Sequence, residues 1–432
     1  MKIYLNLELK IVDSNKHYRR KLKKNMLPDK LSNLNSSPIC QENISDFNGN
    51  ISLNHTQKEN KNLIPTISKM VLTQQLNLVP NNPLDKIRSL SGVQPPKFSF
   101  KGGEVTFLTR IKNAHLDDIH GLIKLGHDSI VSGSKDSTVR IWNVQDRSHE
   151  EIGPGKRGYA SWITSLANLD DNHFAFGSRD GYLTIVDRTG DVLSSLKSSR
   201  TASSNSGCKE RNEERINCIS APSSDDIPSY LYVGKPQYLE IYDRTKQTFV
   251  RSIKAHIKDW VYAILPFNAQ KVVVAVGSQL ELWKMGNTSH SCDVLIPRLN
   301  FSEKSPYKPF ITHLCPLKDQ PGTMAVAYFD GDFKIYSMES QTEKTFSDAH
   351  KGRIWSCLSF DANLLMTSAD DKMVCLWDLR MKKTIAKITQ FPGRVSSLLG
   401  LDERMFATAS CPDDVFTSQN KAEIQFFDLR KV

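Results

Sequence analysis

A short pattern that recurs seven times constrains the fold of this chain more than any other feature of its sequence. Each copy alternates apolar with other residues, reaches an aromatic or apolar residue, and ends on a polar one. The copies are VRIWN at 139–143, LTIVD at 183–187, LEIYD at 239–243, LELWK at 280–284, FKIYS at 333–337, VCLWD at 374–378 and IQFFD at 424–428. Alternation with this short period predicts β-strands.

The spacing of the copies predicts how the strands are grouped. Their fourth positions lie 44, 56, 41, 53, 41 and 50 residues apart, at Trp142, Val186, Tyr242, Trp283, Tyr336, Trp377 and Phe427. One four-stranded blade of a β-propeller takes about 40–45 residues, and the longer intervals leave room for loops. From about Gly103 onward, short alternating segments are separated by Asp, Gly and Ser turns. We therefore predict an all-β propeller of seven blades over residues 103–432.

The order of the strands also predicts how the ring closes. The last copy of the pattern stands at the end of the sequence, so the seventh blade lacks an outer strand from that side. The segment EVTFLTRI, Glu104–Ile111, precedes the first copy and has the required alternation. We expect this segment to complete blade seven, because closure of the ring removes exposed strand edges.

Two longer segments match each other position by position: SGSKDSTVRIWNV at 132–144 and TSADDKMVCLWDL at 367–379. With the sevenfold pattern, they resemble the WD-repeat family over roughly residues 104–432. The resemblance implies a seven-bladed WD-repeat β-propeller whose blades contain tetrads of His, Ser or Thr, Asp and Trp. Here the tetrads are His115, Ser132, Asp136 and Trp142, and His350, Thr367, Asp371 and Trp377. Because buried imidazole, hydroxyl and indole groups need partners, we interpret these residues as structural clamps and not as catalytic groups.

The other blades depart from the family pattern. His256 and Trp283 keep the 27-residue spacing between His and Trp, but Gly277 stands where Asp is expected. Blades two, three, five and seven have Val, Tyr, Tyr and Phe in place of Trp. We expect all of these blades to rely on apolar packing alone.

Residues 1–102 differ from the rest in composition and charge. The chain has a formal net charge of +10, and residues 1–100 contain 15 Lys and Arg against 7 Asp and Glu. Residues 15–62 are rich in Asn, Ser and Lys, which leaves little apolar surface to offset the entropy of ordering. We predict a mostly disordered basic arm. Its RRKLKK run at 19–24 is compatible with nuclear import, phosphate binding or a solvated surface, and it only weakly suggests nucleic acid as a partner.

Cysteine usage and catalytic motifs bear on compartment and activity. The eight cysteines include no closely spaced pair, and no apolar run reaches transmembrane length, so we expect reduced thiols, no membrane insertion and a cytoplasmic or nuclear location. The sequence contains no phosphate-binding Gly loop, nucleophile elbow or zinc-ligand spacing. We therefore predict a protein without cofactor, metal or enzymatic activity.

The loops before each predicted first strand, and those between second and third strands, should share one face of the propeller, the upper face. Aromatic, Arg and Lys residues at these positions are the types that dominate protein interfaces. They are Lys135, Trp162, Arg179, Arg215, Trp260, Tyr262, Phe310, Arg353, Trp355 and Arg394. Lys235 and three loop insertions, 198–214, 298–309 and 411–420, should lie on the same face. The alternative for each aromatic is that it only covers the blades or fills the space between them.

Two functions follow from these residues. The leading hypothesis is a non-enzymatic scaffold or adaptor whose upper face binds peptides or proteins, including acidic or phosphorylated ones. The second rests on WDLR at 377–380, which is similar to the motif with which WD-repeat substrate receptors dock on the adaptor of cullin-4 ubiquitin ligases. In that reading Asp378 and Arg380 contact the adaptor. The sequence FDLR at 427–430 is a weaker second copy.

Overall fold

The computed structural model describes residues 97–100, 103–153, 161–197, 214–222, 230–255, 258–268, 271–285, 290–296, 309–413 and 421–431, which belong to one compact unit, Leu76–Val432. Every regular element within these ranges is a β-strand, which confirms the predicted fold class. Most of the predicted basic arm, His256 and the larger part of the three insertions lie outside the described residues.

The described residues contain 29 strands. They are β1 (Lys97–Phe100), β2 (Gly103–His115), β3 (Ile119–Leu125), β4 (Ser129–Ser134), β5 (Val139–Asn143), β6 (His149–Ile152), β7 (Ile163–Asn168), β8 (His173–Ser178), β9 (Tyr182–Asp187), β10 (Val192–Lys197), β11 (Cys218–Ser220), β12 (Tyr230–Lys235), β13 (Tyr238–Asp243), β14 (Thr248–Lys254), β15 (Val261–Asn268), β16 (Lys271–Val276), β17 (Gln279–Met285), β18 (His290–Ile296), β19 (Ile311–Pro316), β20 (Thr323–Tyr328), β21 (Phe333–Ser337), β22 (Thr342–Phe346), β23 (Ile354–Ser359), β24 (Leu364–Ala369), β25 (Val374–Asp378), β26 (Lys383–Ile388), β27 (Gly393–Gly400), β28 (Met405–Pro412) and β29 (Ala422–Lys431).

These strands form seven antiparallel sheets, which are the seven blades. Blade one is β3–β6, blade two β7–β10, blade three β11–β14, blade four β15–β18, blade five β19–β22 and blade six β23–β26. The first strands of successive blades pack against one another around a complete circle, from β3 through β7, β11, β15, β19, β23 and β27 back to β3. They are therefore the inner strands of the propeller, and the fourth strands form its outer edge.

Blade seven joins the two ends of the described chain. Its strand order is β1-β2-β29-β28-β27, and β2 pairs antiparallel with β29 in a register that places Val105 opposite Leu429 and Ile111 opposite Ile424. The predicted closure by Glu104–Ile111 is confirmed. The strand β1, which pairs Phe98 with Val105, adds a fifth strand within residues that the sequence assigned to the disordered arm.

The core lies between the blades. Every residue of β4, β24 and β28 is buried, because each sheet packs between two neighbouring sheets and its second strand loses contact with water on both faces. One cluster, for example, joins Val131 of blade one with Ile163 and Phe176 of blade two. Each blade therefore depends on its neighbours for most of its apolar burial.

Glycines in the second strands allow this close approach. A Cβ atom at Gly234 would lie 2.7 Å from Cγ1 of Val261, which belongs to the inner strand of the next blade. A Cβ atom at Gly133 would lie at the same distance, 2.7 Å, from Cγ2 of Ile163. A Gly within a strand commonly marks such a site, where a neighbouring segment comes too close for any side chain.

Candidate interaction surface

Two faces of the propeller are defined by its connections. The upper face carries the connections that lead into the inner strands and the turns between second and third strands. The lower face carries the turns between first and second strands and between third and fourth strands. Because the strands of a blade alternate in direction, every blade contributes to both faces in the same way.

The first tetrad lies in blade one and is fully hydrogen-bonded. The indole Nε1 of Trp142 donates to Oγ of Ser132 over 2.8 Å, and this hydroxyl contacts Nε2 of His115 at 2.7 Å. Nδ1 of the same imidazole lies 3.0 Å from the carboxylate of Asp136. Burial lowers the pKa of His115. Burial alone would raise the pKa of Asp136, but its interactions with His115 and its hydrogen bonds from Thr138 and the backbone N–H of Leu116 together hold the pKa below its usual range.

The second tetrad, in blade six, repeats this geometry. Trp377 Nε1 donates to Oγ1 of Thr367 over 2.8 Å, and Thr367 Oγ1 lies 2.7 Å from Nε2 of His350. Both carboxylate oxygens of Asp371 lie 3.0 Å from Nδ1 of His350. All four side chains are occupied with one another, which accounts for the duplicated sequence segments without a catalytic role.

Blade four binds its Trp in a different way, so the expectation that it relies on apolar packing alone was wrong. Nε1 of Trp283 donates to the Glu281 carboxylate over 3.0 Å, and Nε2 of Gln279 donates to the other oxygen of that carboxylate over 2.7 Å. Glu281 has no exposed surface. At Gly277, where a tetrad Asp was expected, the carboxylate of Asp259 fills the space that a side chain would take.

Six of the inner strands contain a β-bulge at the same position. The bulged residues are His120, Thr164, Tyr262, Thr312, Trp355 and Ser396. A bulge inserts one residue without a pairing partner and turns its side chain away from the regular pleat. The bulge therefore explains why these side chains reach the neighbouring blade near the upper end of the inner strands.

Polar bulge residues join each blade to the next. Nδ1 of His120 donates to the carbonyl of Ile163 over 2.9 Å, and Oγ1 of Thr312 donates to the carbonyl of Ile354 over 2.6 Å. Thr164 and Ser396 make the equivalent bonds to Ile216 and Ile119. Burial lowers the pKa of His120 to about 4, so its imidazole is neutral at physiological pH. These four residues hold the ring together and are not available as a ligand site.

Cations and aromatic rings contact one another on the upper face of blades one and two. The ammonium group of Lys135 lies 4.9 Å from the ring centroid of Trp162, and the guanidinium of Arg179 lies 4.1 Å from it. Both distances are within the range of cation–π attraction. The structure therefore brings together three of the predicted upper-face residues.

A run of stacked rings crosses from blade four to blade five. The ring centroids of Trp260 and Tyr262 are 6.1 Å apart, and those of Tyr262 and Phe310 are 4.5 Å apart in a stacked arrangement. Phe310 in turn stacks on Phe329 at 4.7 Å. The guanidinium of Arg215, from blade three, lies 5.7 Å from the Trp260 ring. The rings thus form a continuous aromatic surface with a cation at one end.

The contacts continue through blades six and seven. The guanidinium of Arg353 lies 3.7 Å from the Trp355 ring and 5.6 Å from the Phe310 ring, and that of Arg394 lies 5.9 Å from Trp355. Arg394 also forms an ion pair with Asp118 of blade one, whose carboxylate lies 4.0 Å from Nζ of Lys135. The ten predicted upper-face residues, from Lys135 to Arg394, form what we call the cation–aromatic belt.

The positions at the turn between second and third strands add residues that the sequence analysis missed. Phe329 stacks on the belt, and the Asp370 carboxylate accepts a hydrogen bond of 2.6 Å from Nε1 of Trp355. Each stands directly before the turn Asp or its equivalent, as Lys135 and Arg179 do, and this register could have identified them. Lys235 has the same register but was wrongly predicted: it is buried, with Nζ 3.7 Å from the Glu240 carboxylate.

The two residues of the alternative docking motif lie on the lower face. The Asp378 carboxylate accepts the backbone N–H of Arg380 over 2.9 Å, and Nη2 of Arg380 returns to the other oxygen of that carboxylate over 2.9 Å. The hydrogen bond from Arg380 lowers the pKa of Asp378. The Arg380 side chain is 69% exposed. In the second copy, Nε of Arg430 donates to Asp428 over 3.2 Å.

Ion pairs stand at the bases of two of the predicted insertions. Nζ of Lys197 lies 2.6 Å from the Glu214 carboxylate, across the start and end of one insertion. Nζ of Lys372 lies 2.6 Å from Asp413, where another begins. Lys197 is the last residue of β10, and Glu214, Lys372 and Asp413 lie in connections on the upper face. The insertions therefore start and end on the upper face, although their central residues lie outside the described ranges.

The described residues contain no group of three or more His, Cys, Asp or Glu side chains placed to hold a metal ion. The same ranges contain no helix with the length and apolar character needed to cross a membrane.

Comparison with known proteins bears on the family. The family model "WD domain, G-beta repeat" matches residues 107–143 and 340–378, the segments that contain the two tetrads. No curated protein matches the chain. The two matched repeats lie within a ring of seven four- or five-stranded blades in the described residues. Taken together, the two matched repeats and the seven-bladed propeller geometry are consistent with a WD-repeat protein.

Proposed function

We propose that this protein is a non-enzymatic interaction platform that binds peptides or proteins on its upper face. The observation that carries the proposal is the cation–aromatic belt, to which every one of the seven blades contributes at least one residue. Trp, Tyr and Arg are the residue types that supply most of the binding energy in protein interfaces. WD-repeat propellers are in general protein-interaction scaffolds, and the belt supports the upper face as the binding face in this proposal.

The belt also favours anionic ligands. It contains four Arg and one Lys, and the stacking of a guanidinium on a ring fixes its plane. A guanidinium held in this way presents its edge N–H groups in a fork that matches a carboxylate or phosphate. We therefore propose that acidic or phosphorylated segments are among the ligands.

Affinity purification from the native host tests the proposal. The tagged wild-type protein is compared with a triple variant, Trp260→Ala, Arg353→Ala and Trp355→Ala, and bound proteins are quantified by mass spectrometry. We expect the triple variant to lose the specific partners of the wild type. The matched control is Arg380→Ala, which changes an exposed lower-face Arg. Full retention of all partners by a triple variant that melts like the wild type would refute an upper-face function.

The second candidate is a substrate receptor of a cullin-4-type ubiquitin ligase. Its support is the WDLR sequence, together with the exposure of Arg380 on the lower face, where Asp378 holds its guanidinium. In this case the ligase adaptor co-purifies with the wild type and is lost with Arg380→Ala. Arg430→Ala, in the weaker FDLR copy, serves as the control. Equal recovery of the adaptor with both variants, or its absence from the wild type, rejects the receptor function.

A further inference from the structure

We propose that a pocket on the lower face, where blades six and seven meet, binds a Lys side chain of a partner polypeptide. The inference goes beyond the upper-face function and gives the propeller a second binding surface. The pocket, which we call the lower-face pocket, has a volume of about 260 Å³. Its lining includes Lys318 of blade five, Leu358 and Phe360 of blade six, and Gly400, Asp402 and Glu403 of blade seven.

The pocket lies where one position of the ring has no side chain. This position, near the lower end of the inner strand, pairs with the second-strand residue that stands opposite the Trp or its counterpart. Six inner strands of the described residues include it, as Lys124, Asn168, Pro266, Pro316, Ser359 and Gly400. A Cβ atom at Gly400 would lie 3.3 Å from Cδ1 of Leu358. Any side chain at this position would therefore enter the pocket.

At three other joints between blades, this position forms a hydrogen bond to the preceding blade. Nζ of Lys124, in blade one, donates to the carbonyl of Leu401, in blade seven, over 2.7 Å. The side-chain amide of Asn168, in blade two, donates to the carbonyl of Lys124. Oγ of Ser359, in blade six, accepts the backbone N–H of Lys318, in blade five, over 3.0 Å. Blade seven has no side chain with which to make the equivalent contact to blade six, which leaves that contact to a ligand.

The joint between blades one and seven indicates which ligand fits. There the aliphatic stem of Lys124 crosses the joint, and its ammonium group reaches a carbonyl oxygen. In the lower-face pocket, Leu358 and Phe360 supply an apolar wall for such a stem. A Lys stem packs against apolar surface while its charged end stays in a polar environment. Sites for drug-sized molecules usually have volumes of roughly 300–1,000 Å³, so this smaller pocket suits one side chain.

The charges of the lining favour a cation. Asp402 and Glu403 contribute two negative charges from blade seven, and Lys318 contributes one positive charge from blade five, which leaves a net charge of −1. One carboxylate oxygen of Asp402 accepts the backbone N–H groups of Arg404 and Met405, both over 2.6 Å, and is held in its turn. Glu403 is exposed, so we assign the ammonium group of the ligand to its carboxylate. Because exposed ion pairs contribute little, burial of the stem should supply most of the affinity.

Peptide display on the full chain tests the inference. A library of random linear peptides is selected on the wild type, and peptides that also bind Gly400→Lys are removed, because this variant fills the pocket with its own side chain. We expect the remaining peptides to share a Lys. Replacing that Lys by Ala should weaken binding to the wild type about tenfold or more in fluorescence polarisation, since it removes three methylene groups and the charge. Glu403→Gln should weaken the same peptides about two- to fivefold.

Matched variants separate the pocket from the fold. Gly400→Ala adds one methyl group, which cannot cross the joint, so this variant should keep most of the affinity. Gly400→Asn introduces the residue that blade two has at this position and should prevent binding as Gly400→Lys does. It serves as the filled variant if Gly400→Lys does not unfold cooperatively in urea.

Each outcome decides the inference. Peptides that share an Arg or an aromatic residue in place of Lys overturn the ligand assignment. If no peptide distinguishes the wild type from the filled variants, the pocket is not a binding site. The upper-face triple variant described above should bind the selected peptides like the wild type, and loss of binding in that variant would place their site on the other face. Loss of native partners in the triple variant supports the upper-face function whatever the result for this pocket.

Discussion

Replacement of Thr367 by Val should lower the free energy of unfolding by about 3 kcal/mol. Oγ1 of Thr367 accepts the indole N–H of Trp377 and bonds to Nε2 of His350, at 2.8 and 2.7 Å. Val has almost the same shape but no hydroxyl, so it leaves two polar groups without a partner. Thr367 is 0% exposed and His350 5%, so water cannot replace the lost bonds. Each unsatisfied buried group costs about 1–3 kcal/mol.

Urea unfolding of the full chain, followed by Trp fluorescence and circular dichroism, measures the effect. Thr367→Ser keeps the hydroxyl and removes one methyl group, so it should cost only about 1 kcal/mol. Ser368→Ala is the matched control, because this neighbour is also fully buried but its hydroxyl bonds only at the 3.5 Å limit, to the carbonyl of Ser356. We expect Thr367→Val to lower the free energy of unfolding most, Thr367→Ser to lower it less and Ser368→Ala to lower it least.

A double-mutant cycle separates the hydrogen bond from packing. Trp377→Phe removes the indole N–H, so the Val substitution should cost about 1 kcal/mol less in that background than in the wild type. Equal costs in both backgrounds would show that the hydroxyl does not satisfy the indole. A loss below about 0.5 kcal/mol for Thr367→Val would refute the assignment of the tetrad as a structural clamp.

Three further predictions concern the ring. Gly234→Ala should destabilise the propeller by about 1–3 kcal/mol in the same assay, because its Cβ would overlap Val261; an unchanged unfolding midpoint would contradict the close approach. Deletion of residues 1–95 should leave a monomer that unfolds cooperatively. Deletion of residues 1–114 removes β2 and exposes an edge of blade seven, so this variant should associate in size-exclusion chromatography. Equal elution and equal unfolding of the two deletion variants would refute the closure of the ring by β2. Burial lowers the pKa of His313 to about 4, so between about pH 6.5 and pH 4 the unfolded state binds a proton that the folded state does not. The free energy of unfolding should therefore fall by up to about 1.4 kcal/mol per pH unit as the pH falls through this range. A pH series of urea unfolding curves measures this slope, and His313→Gln should reduce it.

The blades and the closure of the ring could be predicted from the sequence because they depend on local patterns. A strand followed by a turn and another strand has a nearly fixed length, so equivalent positions recur at intervals of about one blade. Trp142 and Trp377, for example, stand at the same position of blades one and six. The tetrads are also local, since 27 residues separate His from Trp in both. The fifth strand, β1, follows no such spacing, and only its pairing with β2 reveals it.

Contacts between blades were less accessible to sequence reasoning. The register of Arg353 with Arg394 and Trp260 correctly placed these residues on one face, but it could not show which rings stack or that Asp118 pairs with Arg394. It also suggested that Lys235 shares this face, whereas Glu240 holds it in the interior. Side-chain direction depends on the inner-strand bulges and on the neighbouring blade, and neither leaves a fixed signature in the chain.

The inner strands of neighbouring blades are joined by different kinds of side-chain contact, and the kind of contact determines which groups the upper face presents. Four of the six bulge positions join their inner strand to the next blade with a polar side chain, such as that of Thr312. Tyr262 and Trp355 instead place rings against Phe310 and Arg394 of the next blade, and these rings bring large apolar surface to the upper face. A polar residue would join these blades equally well, as it does elsewhere in the ring. Ring joints therefore supply aromatic surface that polar joints lack, and they place it beside Arg353, where the belt combines apolar area with positive charge.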